Sequence, residues 1–220
     1  MIATGQATKK NHLVTEQLEP NASRFQNFKL MATISIIVLL FASVFGMVSG
    51  IVFDDYQFLL ALQVFIELLI LFTFQLALIF MVLWFARAYT NLHALGWEGL
   101  RFKDYWGFLG WYVPIFSVFM PFRVMRDILV GYDQLSANEE VKSGSTTLKL
   151  SIIWWGLYLA PPLLSSLSLL LVAIEPTATQ FLLLAFYKLL MMVFWIIGIF
   201  LIEYVHDREE RVYQVHATVA

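Results

Sequence analysis

Two ionisable residues, Glu67 and Lys188, lie inside long apolar stretches of this sequence. A charge in the hydrocarbon core of a bilayer is costly, so such residues commonly mark an ion pathway, a proton relay or a buried ion pair. At ~1.5 Å per helical residue, each lies roughly 10–14 Å from the outer end of its stretch, so the two residues are at a similar depth. We therefore expect Glu67 and Lys188 to form an ion pair within the membrane. This pair could have a structural role, belong to a substrate or proton pathway, or take part in catalysis.

Further uncharged polar residues accompany this pair. Gln63 lies one helical turn before Glu67, and Gln75 lies two turns after it, rotated by about 80°. Ser166 falls at a similar depth in another apolar stretch, just past two consecutive prolines. These side chains could line a polar pocket open to the outer side, or they could hydrogen-bond across a helix bundle.

A second group of candidates is basic. Arg87 and Asn91 are four residues apart and Arg123 and Arg126 are three apart, so each pair shares a helical face. Together with Arg101, they flank an apolar segment that contains proline. Such an arrangement could hold the phosphates of lipid headgroups. The alternative is that these residues cap helix ends and pair with nearby aspartates (Asp104, Asp127 or Asp133).

Several other chemistries are excluded or disfavoured. The chain has no Cys, which rules out disulfides, a Cys-ligated metal and a thiol nucleophile. A net charge of −2 without a basic tract argues against nucleic acid as a partner. Glu203 and His206 have metal-ligand spacing, but arginines interleave with them, which is typical of a solvated helix face. We predict no catalytic residue, no metal site and no cofactor.

Composition indicates where these residues reside. Hydrophobic residues make up 60% of the chain and charged residues 14%, against about 25% charged in an average soluble protein. Four apolar stretches are long enough to cross a bilayer, and each must be helical to satisfy its backbone. The predicted fold is an all-α integral membrane protein with spans at about 30–53, 58–86, 148–174 and 181–204.

A fifth apolar stretch, 106–122, is short and holds two prolines, which disfavour a straight membrane-crossing helix. If it does not cross, every Lys and Arg except Lys188 falls on one side of the membrane, as the positive-inside rule requires. We therefore expect it to be a re-entrant or interfacial hairpin within a cytoplasmic loop (87–147). The tails (1–29 and 205–220), and with them both termini, are then cytoplasmic.

The central loop carries several ordered motifs. These are RAYTNLHALG at 87–96, LRF at 100–102, GWYVPI at 110–115 and PFRVMRD at 121–127. In this order they resemble the bacterial membrane-protein family called domain of unknown function 4328. The resemblance implies a bacterial inner-membrane protein and supplies no activity. It adds Trp111 and Pro114 to the candidate lipid- or partner-binding residues.

Three functions follow as expectations. The first is a non-catalytic scaffold, or a component that binds a partner or lipid, with membrane lipids and a protein or a second copy of the chain as partners. The second is a small oligomeric transporter or channel that uses Glu67 and Lys188. The third, a lipid-modifying enzyme at the arginine-flanked hairpin, lacks a convincing acid–base or nucleophilic set.

Overall fold

The computed structural model describes Leu18 and residues 20–52, 56–136, 145–172 and 178–219. Within these ranges, the side chains of 47–52, 56–57, 59–60, 145, 161–172, 178–183 and 216–219 lie outside the description. The described residues form helices and turns without a β-strand, which confirms the all-helical expectation for this part of the chain. The helices are α1 (Ala22–Val52), α2 (Tyr56–Ala94), α3 (Trp106–Leu109), α4 (Met120–Ser136), α5 (Ser145–Val172) and α6 (Ala178–Val219).

Three segments are long and apolar enough to cross a membrane. They are Ala22–Gly46, Ala61–Ala94 and Leu184–Val215, with mean hydropathies of 2.3, 2.5 and 2.3. The chain is therefore a membrane protein with membrane-spanning helices. The fourth stretch expected to cross falls on α5, whose side chains from residue 161 onward lie outside the described part.

Three of the helices are clearly longer than the apolar stretches that predict them. α1 begins at Ala22, before the apolar run from Leu30. α2 continues to Ala94, beyond residue 86, and α6 continues to Val219, beyond residue 204. Apolar length indicates where a chain can cross lipid, whereas backbone hydrogen bonds can extend a helix into water. Hydropathy therefore predicts which segment crosses the membrane, but it does not predict where the helix begins and ends.

The chain divides into two compact units. The first comprises Met1–Gln26, Phe80–Ile152 and Phe200–Ala220, and the second comprises Asn27–Ile79 and Ile153–Ile199. Aromatic side chains fill the core of the second unit. Trp154 stacks on Phe194 with ring centroids 5.5 Å apart, and Phe74 contacts Trp195 at 5.1 Å. Both tryptophans are fully buried.

In the first unit, the stretch 106–122 is not one helix. It consists of α3, a 3₁₀ turn at Phe116–Val118 and the first turn of α4. Pro121 lies in that first turn, where its missing N–H costs no helical hydrogen bond. The Trp106 and Phe116 rings lie 4.9 Å apart, so the turns fold the segment back on itself.

The hairpin packs directly on α2. A Cβ at Gly107 would lie only 3.1 Å from both Ala86 Cα and Tyr89 Cβ, so the close approach favours glycine. Trp111 is buried, with its ring edge-on to Phe85 at 5.3 Å. These contacts determine where the rest of the hairpin lies on this unit.

Gly96 ends α2 and turns the chain toward the hairpin. Its φ is +69°, a left-handed conformation that glycine adopts without steric cost. The Gly96 N–H donates to the His93 carbonyl, and the Trp97 N–H donates to the Leu92 carbonyl at 3.3 Å. This Schellman pattern satisfies carbonyls that the end of the helix would otherwise leave unpaired.

Candidate functional site

Three arginines of the hairpin region gather around one buried carboxylate, that of Asp127. Arg101 Nε lies 3.7 Å and Arg126 Nη2 lies 3.8 Å from Asp127 Oδ1. Burial raises the pKa of Asp127 to about 6, while the positive charges of Arg101 and Arg123 act against that rise. One carboxylate cannot neutralise three guanidinium groups, so the cluster keeps an excess of positive charge.

Two of these arginines remain open to solvent or ligand. The Arg101 side chain is 52% exposed, and Arg123 is exposed with its guanidinium 4.9 Å from the centre of the Phe119 ring. The Arg126 side chain is more covered, at 28%. Arg101 and Arg123 are therefore the members of the cluster that an anion can reach.

Beside the arginines, the hairpin exposes large apolar side chains. Ile115 is 77% exposed, more than any other large apolar side chain in the described part of the molecule. The apolar tip of the hairpin consists of exposed residues on α3, the turns and the 3₁₀ segment: Tyr105, Phe108, Leu109, Tyr112, Ile115, Phe116 and Val118. Pro114 is also exposed at this tip.

The remaining candidates from the motif lie elsewhere. Asn91 is fully buried and donates to Glu209 Oε1 at 2.9 Å and to the Tyr213 hydroxyl. Arg87 is half-buried and interacts electrostatically with Tyr213. Trp111 is buried against α2, as described above. The structure thus brings Arg101, Arg123 and Arg126 together and assigns Asn91 to a different cluster.

That second cluster centres on Glu209, which is 1% exposed. Its Oε1 accepts hydrogen bonds from Asn91 Nδ2, from the Tyr132 hydroxyl at 3.0 Å and from the Tyr213 hydroxyl at 3.2 Å. A buried carboxylate needs such donors, since an unpaired one would be strongly destabilising. The network ties α2, α4 and α6 together within the first unit.

Sequence reasoning missed Glu209, although a signal for it exists. Ile202, Val205 and Val212 are buried at spacings of three and seven residues, and Glu209 falls on the same stripe of α6. A carboxylate on an otherwise apolar helical stripe indicates a buried, hydrogen-bonded group.

A third carboxylate of this unit, Asp133, pairs within the core. The Tyr204 hydroxyl donates to Asp133 Oδ1 at 3.0 Å, and Arg208 Nε also donates to that oxygen. Asp133 therefore neutralises an arginine of α6 and not one of the hairpin arginines.

A protein-family model matches most of this sequence. Residues 50–207 match the family described as Domain of unknown function (DUF4328), which is well over half of the chain. The chain belongs to the DUF4328 family. No curated protein and no solved structure matched it significantly.

In this DUF4328 protein, the matched range includes the Asp127 cluster and the apolar tip, and ends two residues before Glu209. It also contains Glu67 and Lys188. Within the second unit Lys188 Nζ donates to Glu67 Oε1 at 2.7 Å, so the structure brings these two residues together. The Lys188 side chain is 8% exposed and that of Glu67 is 39% exposed.

The other polar residues expected near this pair are placed differently. Gln63 and Gln75 are exposed on α2 and do not join Glu67 in a buried cluster. Ser166 lies on α5, and its side chain is outside the described part. The structure therefore shows an ion pair in the DUF4328 protein, without a described polar pocket around it.

His206 has acidic neighbours on α6. Its Nε2 lies 3.3 Å from Glu210 Oε1, its Nδ1 lies 3.9 Å from Glu209 Oε2, and its ring packs on Phe25 at 4.3 Å. Among the described residues of the DUF4328 protein, no three His, Asp and Glu side chains form a group that could hold a metal ion.

Proposed function

We propose that this DUF4328 protein is a non-catalytic membrane component whose hairpin lies in the headgroup layer of the bilayer and binds anionic phospholipid. The observation that carries the proposal is an exposed apolar tip close to an exposed arginine. Phe116 of the tip packs on Phe119 at 5.5 Å, and the Arg123 guanidinium lies over that Phe119 ring. Apolar side chains of the tip would enter the acyl-chain boundary, while the two guanidinium groups would contact phosphate oxygens.

The chemistry of the cluster supports an anionic ligand. A guanidinium group offers a planar fork of donors that matches two phosphate oxygens, and it stays charged at any physiological pH. Asp127 holds Arg101 and Arg126 in place through long contacts of 3.7 and 3.8 Å, and these leave donors available. The positive excess around the hairpin would attract an anionic leaflet.

The proposal includes a topology. The chain crosses four times, with α5 as the additional crossing, and the loop with both tails faces the cytoplasm of a bacterium whose inner membrane holds the protein. The support is the distribution of Lys and Arg in the sequence, which leaves the two short connections between spans without positive charge. The hairpin then meets the leaflet on the side where anionic lipids attract basic residues.

The test is lipid retention by the full chain. The protein is purified in nanodiscs or mild detergent, and native mass spectrometry measures bound phosphatidylglycerol against phosphatidylcholine. We expect retention of the anionic lipid, and a loss of about fivefold in affinity for each of Arg101→Gln and Arg123→Gln, as expected for about 1 kcal/mol per basic residue.

The matched control is Arg211→Gln, because Arg211 is exposed on α6 and donates to the Asp207 carbonyl of its own helix. Equal lipid retention by all variants would contradict the proposal. A co-purifying protein that is lost on substitution of Ile115 by Ser would instead assign the apolar tip to a protein partner.

A second candidate function rests on the Glu67–Lys188 pair, since ionisable pairs inside membrane helices also occur in ion and proton pathways. In this version the protein is a small transporter or channel that works as an oligomer. Proton or ion flux into sealed vesicles that carry the protein, abolished by Glu67→Gln, would support it. Flux that matches empty vesicles would exclude it.

A further inference from the structure

One face of α2 exposes apolar side chains with a single amide in their midst. Leu68, Leu71, Phe72 and Ile79 are 58%, 54%, 61% and 45% exposed, and Gln75 is exposed between them. We call these five residues the Gln75 face. Their spacing of three, four and seven residues forms one stripe along the helix, which is the pattern of a helix–helix seam.

Gln75 lies deep within the span. Apart from Glu67, which is paired with Lys188, the nearest charged positions in the sequence are Asp55, 20 residues before Gln75, and Arg87, 12 residues after it. These separations correspond to ~30 Å and ~18 Å of helix at ~1.5 Å per residue. A hydrocarbon core of roughly 30 Å that fits between these charges includes Gln75 wherever it is positioned. An exposed amide at this depth faces lipid chains unless another protein surface covers it.

Lipid chains cannot hydrogen-bond to an amide, so leaving Gln75 in contact with them is unfavourable. The side chain carries both a donor and an acceptor, which makes one glutamine the complement of another. A two-fold axis through the seam would place Gln75 against Gln75 of a second copy, with the flanking leucine, phenylalanine and isoleucine side chains in contact.

We propose that the Gln75 face is the interface between two copies of this chain in the membrane. The self-complementary amide, central among exposed apolar residues, favours a second copy over an unrelated helix. This inference is separate from lipid binding by the hairpin, because it concerns residues of the second unit alone. It adds an assembly state to the proposed function.

The absence of native cysteine makes a direct test simple. Gln75→Cys and Ile79→Cys are made singly, and each protein is oxidised in vesicles at low protein-to-lipid ratio. We expect both to form a disulfide-linked dimer. The matched controls are Leu40→Cys and Ile196→Cys, at positions 51% and 55% exposed on other apolar helices, and we expect these to stay monomeric.

A second measurement concerns the amide itself. Single-molecule photobleaching in vesicles counts copies per complex for the native chain, Gln75→Leu and Gln75→Asn. We expect Gln75→Leu to raise the dissociation constant of the dimer roughly threefold to tenfold, as loss of an interhelical hydrogen bond in a membrane does. Gln75→Asn keeps the amide and should lie between the two.

Single photobleaching steps for the native chain at every protein-to-lipid ratio would overturn the proposal. So would cross-linking at position 75 that does not exceed that of the controls, or capture there of a different polypeptide in place of a second copy. Lipid retention at the hairpin is measured independently, so either proposal can fail while the other stands.

Discussion

Lys188 Nζ lies 2.7 Å from Glu67 Oε1, although the two residues are 121 positions apart in the chain. The pair joins α2 to α6 within the second unit. The partners differ in exposure, since the lysine is almost covered and the carboxylate is partly open. Removing either partner alone leaves the other charge unpaired inside an apolar span.

We expect Glu67→Gln to lower the free energy of unfolding by about 2 kcal/mol, because it leaves the covered ammonium group of Lys188 without its counter-charge. Lys188→Met should also lower it, because it leaves the Glu67 carboxylate without its counter-charge inside an apolar span. The double variant should be more stable than Glu67→Gln alone. Thermal unfolding in one detergent measures all three, and a double variant no more stable than the singles would rule out the pair.

The hydrogen bonds to Glu209 should contribute to the stability of the first unit. Tyr132→Phe removes one of the donors to a buried carboxylate oxygen, and we expect a loss of about 1–3 kcal/mol in the free energy of unfolding. Tyr112→Phe is the control, since Tyr112 is 57% exposed and the change should stay within about 0.5 kcal/mol. Equal losses would show that the Tyr132 hydroxyl has no special role.

Asp127 predicts a pH dependence of stability. Its pKa is raised from 3.8 to about 6, chiefly by burial and against the effects of Arg101 and Arg123. The folded state therefore binds this proton more tightly than the unfolded state. The contribution of Asp127 to stability is then highest below pH 3.8 and falls as pH rises to about 6.

Asp127→Asn removes this titration, so the unfolding temperature should fall less between pH 4.5 and 6.5 than in the native chain. Glu98→Gln is the control, because Glu98 is exposed in the turn after α2. A fall of the same size in Asp127→Asn and in the native chain would mean that another group titrates.

Gly107→Ala tests how closely the hairpin packs against α2. The added Cβ would lie 3.1 Å from Ala86 Cα and Tyr89 Cβ, which is tighter than most packed Cβ contacts and requires these neighbours to shift. We expect a loss of about 1–2 kcal/mol in the free energy of unfolding, as overpacking causes. Gly156→Ala has nothing within 4 Å and lies inside α5, so it should stabilise by about 0.5–1 kcal/mol.

Several features could be predicted from sequence because they depend on local composition. The helical architecture follows from apolar stretches that lipid requires to be helical, and the family follows from ordered motifs between residues 87 and 127. The proximity of Glu67 and Lys188 follows from their matched depth. The number of crossings and the side that the loop faces stay predictions.

Other features depend on packing that no spacing rule supplies. Arg87, Asn91 and the hairpin arginines form one motif in sequence, yet Asn91 points into the protein core, where it contacts Glu209. Asp127 and Asp133 are both acidic residues of α4, but only Asp127 faces the hairpin arginines. These partners depend on which face of each helix is covered. That in turn depends on residues up to 122 positions away, as for Asn91 and Tyr213.

The network around Glu209 has a consequence for how the protein is made. Asn91 and Tyr132 emerge from the ribosome well before the carboxylate that accepts their hydrogen bonds, because Tyr132 and Glu209 are 77 residues apart. At about 5–20 residues per second, the chain must wait several seconds before that acceptor is available. During this interval the buried donors of α2 and α4 need water or a chaperone, so nascent chains stalled before residue 209 should be preferred substrates of membrane proteases.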